Sequence, residues 1–184
     1  EFEKYLQTIN RQIKDIEKLV NEFSNFARMP RPILKKIDIV KLMNKSLDFI
    51  KFTSKNSINL VNKAKFKFIN GDEDQLNRVF LNLIKNSEES FLERLQKDPD
   101  FKGNIDIEIN DNNDYINITI TDNGIGITDA KKAMTTYKKT KKTGTGLGLP
   151  IVTKIINEHS GNFSIKNKLN KRGAIVIISL PKYA

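Results

Sequence analysis

Residues 116–126 read Ile-Asn-Ile-Thr-Ile-Thr-Asp-Asn-Gly-Ile-Gly, a strand that alternates apolar and polar side chains and ends on a carboxylate and two glycines. Alternation with a period of two buries one face of a sheet and leaves the other to solvent. The same pattern lies just upstream, where Ile105, Ile107 and Ile109 alternate with Asp106 and Glu108. The Asn-Asp-Asn-Asn-Asp between the two runs marks the turn of a hairpin. Downstream, 163–165 and 174–180 close the sheet, with Gly161 and Gly173 at the turns, and a helix is predicted over about 147–159. Asp72 is placed to cap a long helix reaching to about Leu95, with core-facing positions at Leu76, Val79, Phe80, Leu83, Ile84, Ser87, Phe91 and Leu95. Shorter elements precede it: a strand through Ile37 and Ile39, an amphipathic helix over 40–52, and strands through Ile58 and Leu60 and through Phe66 and Phe68. A sheet with one solvated face carries its helices on the other. The expected class is therefore α+β, a two-layer α/β sandwich and not a doubly wound sheet.

Five of the nine glycines fall in two clusters. Gly124 and Gly126 lie in the turn after the strand. Gly144, Gly146 and Gly148 lie in Gly-Thr-Gly-Leu-Gly-Leu, directly before a predicted helix. A glycine-rich turn feeding a helix N-terminus presents free N–H groups and the positive end of the dipole, which suits phosphate. Pro150 falls in the first turn, where its missing donor costs little. Either cluster alone reads equally as ordinary turns. The long helix adds a polar stripe of Gln75, Arg78, Asn82, Asn86, Glu89 and Glu93 at steps of three and four. Carboxamide oxygens at Asn82 and Asn86 are hard ligands suited to Mg²⁺ that already carries phosphate oxygens. Without the glycine clusters, buried structural amides would be the simpler reading. Other nucleotide signatures are missing from the sequence: there is no G-x-x-x-x-G-K-[ST], no H-R-D with D-F-G, and the G-x-G-x-G does not directly follow a strand.

Taken together, Asn82-Leu83-Ile84-Lys85-Asn86, Asp122-x-Gly124-x-Gly126 and Gly144-Thr145-Gly146-Leu147-Gly148-Leu149 resemble, in order and spacing, the N, G1 and G2 boxes of sensor histidine kinases. The resemblance runs from Ile37 to Pro181. It implies the Bergerat ATP-binding fold shared with gyrase, the heat-shock chaperone of that class and MutL, with ATP and Mg²⁺ as cofactors. In that family Asn86 would coordinate Mg²⁺ and Asn82 would line the same pocket. Asp122 would accept the adenine amino group, and Gly124 and Gly126 would let the base approach the backbone. Gly144, Thr145, Gly146, Leu147 and Gly148 would wrap the phosphates. The stretch from about Asp129 to Thr143 would form the ATP lid, with Tyr137, Thr140 and Lys141 in the neighbourhood of the F box and Lys141 as the best candidate to reach a phosphate, beside the alternatives Lys138, Lys139 and Lys142. Met134 and Thr136 depart from the Phe and Pro usual in that lid.

Ahead of this part, Phe2, Leu6, Ile9, Ile13, Ile16, Val20, Phe23 and Ala27 recur at alternating steps of four and three, an unbroken heptad seam. Pro30 and Pro32 end the helix. So strict a period favours a coiled coil or four-helix bundle over a helix packed on its own domain. The stretch from Leu19 to Pro30, Leu-Val-Asn-Glu-Phe-Ser-Asn-Phe-Ala-Arg-Met-Pro, resembles the end of the dimerisation helix in NtrY-type nitrogen-regulation sensor kinases. The expected division is a second dimerisation helix over 1–30, a linker over 31–36 and a catalytic ATP-binding domain over 37–184. The chain starts inside a helical pattern, which suggests a fragment. The resemblance implies a homodimer through the first helix, a cognate response regulator, and a cytoplasmic, soluble part of a membrane-anchored sensor.

Composition narrows the alternatives. With no Cys and one His, zinc and iron–sulfur sites are excluded. No apolar run approaches the roughly 20 residues that span a bilayer. The net charge is +10, but Lys, Ile and Asn supply 72 of 184 residues, so the basic total reflects a compositional bias and argues little for nucleic acid. Seven Lys and no acid fall between Ala130 and Asn157, and no aromatic stacking set accompanies them. The family transfers the γ-phosphoryl to a His on the first helix of the dimerisation hairpin. The only His here, His159, reads as a helix C-terminal residue. The leading expectation is thus a protein-histidine kinase fragment lacking its phosphoacceptor. Alternatives are a hydrolytic ATPase of the same fold, for which Asn82 is a poor base, and a degenerate nucleotide-binding interaction domain.

Overall fold

The computed structural model describes residues 2–51, 54–127, 146–169 and 172–184. Its elements run α1 (Phe2–Ala27), β1 (Lys35–Asp38), α2 (Ile39–Lys51), β2 (Ser57–Asn62), β3 (Phe68–Gly71), α3 (Glu73–Leu95), β4 (Asn104–Asp111), β5 (Tyr115–Asp122), α4 (Gly148–Glu158), β6 (Asn162–Asn167) and β7 (Ala174–Pro181). The main sheet has the order β2-β4-β5-β7-β6. Its β2 is parallel to β4 and the other pairs are antiparallel. The register places Ile107 opposite Ile120, Ile118 opposite Ile178, and Ile165 opposite Val176. One face is consequently a continuous layer of isoleucine, valine and leucine, and α2, α3 and α4 complete the core above it. Helix α3 packs against both α2 and α4. This is the expected two-layer sandwich with helices on one face.

The ends of α3 explain its length. The Asp72 side chain accepts the N–H of Gln75 at 3.0 Å, and Glu73 and Asp74 add negative charge in the first turn. Gln75 is buried and donates to the carbonyl of Pro30 at 3.0 Å, so it belongs to the junction with α1 and leaves the polar stripe. Leu95 lies exposed in the last turn, outside the core expected for it.

Two local expectations change. Ile39 opens α2 and does not continue β1, because Asp38 Oδ1 accepts the N–H groups of both Val40 and Lys41 at 3.1 Å and starts the helix there. Phe66 precedes β3; the Lys65 N–H bonds Asp111 Oδ1 at 2.8 Å, which ties this segment to the end of β4. Strand β3 instead pairs with β1, Ile69 opposite Ile37, and reaches the main sheet by a bridge from Ile69 to Lys182.

Helix α1 keeps its apolar seam outward. Ile13 is 57% and Ile16 60% exposed, and Phe2 and Val20 are more than half exposed. The end of this segment touches the body of the fold: Phe26 and Met29 pack on the core, and Lys154 stands over the Phe26 ring at 5.2 Å. No helix among the described residues is long and apolar enough to cross a membrane.

Candidate functional site

The described ends of the glycine motifs meet α3 at two places. Gly148, the first residue of α4, faces the two asparagines of α3: a Cβ built on it would stand 3.7 Å from both Asn82 Oδ1 and Asn86 Oδ1. Two buried features bring α4 there. Leu147 is anchored in the core and its carbonyl accepts the N–H of Ile151 at 3.0 Å, while Ile151, Val152, Ile155 and Ile156 hold the inner face of the helix. Gly146 has a φ of +76°. The N-terminus of α4 therefore opens onto two carboxamides.

One residue beyond Asn86, α3 turns toward the end of β5. Asp122 is buried and held by three donors. Its Oδ1 accepts the N–H of Gly124 at 2.8 Å and of Ala174 at 3.2 Å, and Oδ2 accepts the Ser87 hydroxyl at 3.3 Å. Glycine is required on both sides of this carboxylate. A Cβ on Gly124 would overlap the Ser90 hydroxyl, and one on Gly173, where φ is +122°, would overlap the Asp122 carbonyl oxygen. Gly126 has a φ of +81°, and the next residue is clamped from β6: Asn167 Oδ1 accepts the Ile127 N–H and Asn167 Nδ2 donates to the Ile127 carbonyl, both at 2.7 Å. On the other side Arg94 Nη1 donates to the Asn123 carbonyl while its guanidinium lies 4.3 Å from the Phe101 ring centroid. Asn123 itself bridges to Asn104 N at 2.8 Å and to the Lys102 carbonyl at 2.9 Å.

Of the residues expected to form a site, Asn82 and Asn86 meet Gly148, and Asp122 and Gly124 meet Ser87 and Ser90 of the same helix, while Gly126 lies against Asn167 and Gly173 and Leu147 is anchored in the core. Tyr137, Thr140, Lys141, Gly144 and Thr145, with the whole lid stretch, lie outside the described residues. Ser87, Ser90, Arg94 and Asn167 brace the turn and were not singled out as site residues. Ser87 counted only as a core position, since a serine at helical spacing between apolar residues carries no mark of a carboxylate partner from a distant strand. A crevice of about 310 Å³ beside the end of α1 takes in Glu22, Arg78, Asn82 and Lys85 but neither Asn86 nor Asp122.

His159 is elsewhere. It is buried at the C-terminal end of α4, with Nδ1 bonded to the Ile155 carbonyl at 2.8 Å and Nε2 accepting the N–H of Asp72 at 2.9 Å. Those partners fix the neutral Nδ1–H tautomer and occupy both ring nitrogens.

The fold and this convergence define the class. The chain belongs to the histidine kinase-, DNA gyrase B- and HSP90-like ATPase family, whose model matches residues 71–184. Within it, the sequence is 37% identical over 182 residues to an NtrY-like protein of Rickettsia typhi named for a sensor histidine kinase, covering 97% of this chain and 29% of that protein. It is 30% identical over 186 residues to the nitrogen regulation protein NtrY of Azorhizobium caulinodans, covering 97% of this chain and 23% of that protein. The chain thus spans under a third of the length of either relative. Among solved structures, the nucleotide-free catalytic domain of the histidine kinase ThkA superimposes with a TM-score of 0.69 at 22% identity, over 81% of this chain and 95% of that one. Full-length ShkA in complex with AMPPNP gives 0.75 at 18% identity, over 98% of this chain and 39% of that one. These two likenesses establish the fold.

Proposed function

We propose that this chain is the ATP-binding catalytic part of a two-component sensor histidine kinase, moving the ATP γ-phosphoryl to a histidine outside this chain for relay to a response regulator. The observation that carries the reading is the arrangement along α3, with Asn82 and Asn86 facing the α4 N-terminus and Ser87 facing Asp122. A nucleotide lying along this helix would meet a base acceptor at one end and phosphate-binding N–H groups at the other.

In this reading Asp122 accepts the exocyclic amine of adenine, and Gly124 and Gly126 bring backbone against the base. Gly146 and Gly148, with Gly144, Thr145 and Leu147 of the same turn, enclose the phosphates. Tyr137, Thr140 and Lys141 belong to the lid, Lys141 reaching a phosphate. Asn86, with Asn82 beside it, holds Mg²⁺; the space between the two carboxamides and Gly148 is one that a Cβ would fill, and its oxygen donors suit a hard cation. When bound, Mg²⁺ neutralises charge on the transferring phosphoryl group. Asn82 has no proton affinity with which to activate water, which favours transfer over hydrolysis. His159 is excluded as the acceptor because both its nitrogens are engaged inside the fold.

The outward seam of α1 supports the rest of the reading: residues 1–30 as the second helix of a dimerisation domain, 31–36 as linker and 37–184 as the catalytic domain, in a homodimeric, membrane-anchored sensor whose cytoplasmic side holds this part. The test is to incubate the chain with γ-labelled ATP, alone and with a separately supplied helical hairpin carrying an acceptor histidine. Label should appear on the hairpin and not on this chain. Release of inorganic phosphate with no labelled hairpin would replace the kinase reading with the hydrolytic one.

A further inference from the structure

We propose that Arg94 is a positioning residue for the base slot: its guanidinium holds the Asn123–Gly124 peptide plane so that the Gly124 N–H stays aimed at Asp122. This deepens the reading of Asp122 as the base-contacting residue and rests on it.

One peptide group joins the two side chains. The Asn123 carbonyl accepts from Arg94 Nη1, and the N–H at the other end of the same plane, that of Gly124, donates to Asp122 Oδ1 at 2.8 Å. Every peptide among the described residues is trans, so carbonyl and N–H point opposite ways and any rotation of the plane moves both bonds together. Gly124 has no side chain to resist that rotation, since a Cβ there would overlap the Ser90 hydroxyl. A flipped plane would turn the Asn123 carbonyl on Asp122 Oδ1, acceptor against acceptor. A charged donor on the carbonyl side opposes the flip, because charge-assisted hydrogen bonds are the stronger kind. It also polarises the amide and strengthens the N–H at the far end.

The guanidinium is itself held in place. It lies 4.3 Å from the Phe101 ring centroid, and Phe101 packs at 5.7 Å between centroids on the buried Phe91 of α3. The Asn123 side chain is fixed separately, on Asn104 N and the Lys102 carbonyl, which anchors that side chain but not the plane that follows it. Arg94 also stands in the last turn of α3, where the helix dipole favours a cation. Any cation fills that second role, whereas a directed bond made from a stacked ring face needs the planar fork of arginine.

The experiment measures ADP dissociation constants by calorimetry and the Gly124 amide resonance by NMR. It compares the wild type with Arg94→Ala, Arg94→Lys, Asp122→Asn and the Arg94→Ala/Asp122→Asn double variant, with melting curves for each. In Arg94→Ala, ADP affinity should fall about 3- to 10-fold, the range of one net hydrogen bond, and the Gly124 amide proton should move upfield as its bond to the carboxylate weakens. Arg94→Lys keeps the charge at the helix end, is expected to fold, and should recover part of both effects. Added to Asp122→Asn, the alanine should cost less than about twofold more, because the group through which it acts is already changed. Losses that add in full, or a Gly124 resonance unmoved in both Arg94 variants, would overturn the inference. Asp122→Asn binding ADP as the wild type does, with the Gly124 resonance displaced in the Arg94 variants, would instead overturn the reading of Asp122 itself.

Discussion

The Nε2 nitrogen of His159 accepts the backbone N–H of Asp72 at 2.9 Å, joining the C-terminal cap of α4 to the N-terminal cap of α3. These are the two helices that frame the site, so a bond far from the motifs sets their relative position. Asp72 serves both sides of this joint. Burial acts to raise its carboxyl, but the N–H groups of Ile33, Gln75 and Asp74 outweigh burial, and the carboxyl lies below its ordinary value. A group depressed in the folded state contributes stability that is present above its unfolded value, about 3.9, and is lost as pH falls through the lower folded one. Asp72→Asn should therefore be less stable than the wild type at neutral pH, and the gap should close as pH drops below about 4. Denaturant melts across that range check it; a gap that widens in acid contradicts the sign.

Replacing His159 with Ala removes the acceptor of a half-buried N–H and leaves the Asp72 amide unpaired. The expected loss is about 1–3 kcal/mol of folding stability. The same substitution should leave the absence of acid-labile phosphate on this chain unaltered. Labelled phosphate on His159 in the wild type, lost in the variant, would show that the ring leaves its pocket and is the acceptor.

Asp122→Asn tests the base slot directly. An amide presents an N–H₂ where the backbone N–H groups of Gly124 and Ala174 or the Ser87 hydroxyl need an acceptor, and it removes a charged hydrogen bond worth roughly 1.5–3 kcal/mol. Affinities for ADP and ATP should fall together, by about tenfold or more, because both carry the same base. Calorimetry that finds ATP weakened and ADP unaffected would move Asp122 to the phosphate end.

How much of this was legible beforehand depends on where each signal lies. Strict alternation located β4, β5 and β7, because each of their side chains answers to one sheet face, and Asp72 announced α3 through local cap chemistry. The heptad seam of α1 was equally local, and its apolar positions stand exposed. Ile39 was misread because an isoleucine two residues after Ile37 mimics a strand. The deciding atom was the Asp38 carboxylate, which competes for the backbone two and three residues ahead. The Ser87–Asp122 and Arg94–Asn123 contacts cross 35 and 29 residues of sequence and exist only once the sheet has formed. No periodicity carries such information.

Gly124→Ala should damage the turn through Ser90. The new Cβ would overlap the Ser90 hydroxyl, and the Ser90 Cβ would remain 2.8 Å away once that hydroxyl is removed. Overpacking of this kind costs about 1–3 kcal/mol, and the displaced turn should weaken nucleotide binding as well. Gly124→Ala with Ser90→Ala should recover part, and not all, of both losses. A double-mutant cycle with no coupling would mean the turn escapes the clash by moving away from α3.

Asn86 is the residue on which the metal reading can fail cleanly. It sits one turn from Asn82 with its carboxamide toward the first residue of α4, and its proposed contact with nucleotide runs through Mg²⁺ and not directly to phosphate. Removing the carboxamide in Asn86→Ala should then weaken ATP binding in Mg²⁺ far more than binding of metal-free ATP in a chelator. The expected difference is about tenfold, equivalent to roughly 1.4 kcal/mol for one hard oxygen ligand exchanged for water. Asn82→Ala, whose oxygen lies as far as that of Asn86 from a Cβ built on Gly148, serves as the internal comparison. If Asn86 is the ligand and Asn82 only lines the space, the metal-dependent loss follows Asn86. Equal losses with and without Mg²⁺ at Asn86 would make it a direct phosphate contact, and a metal-dependent loss confined to Asn82 would reverse the two assignments.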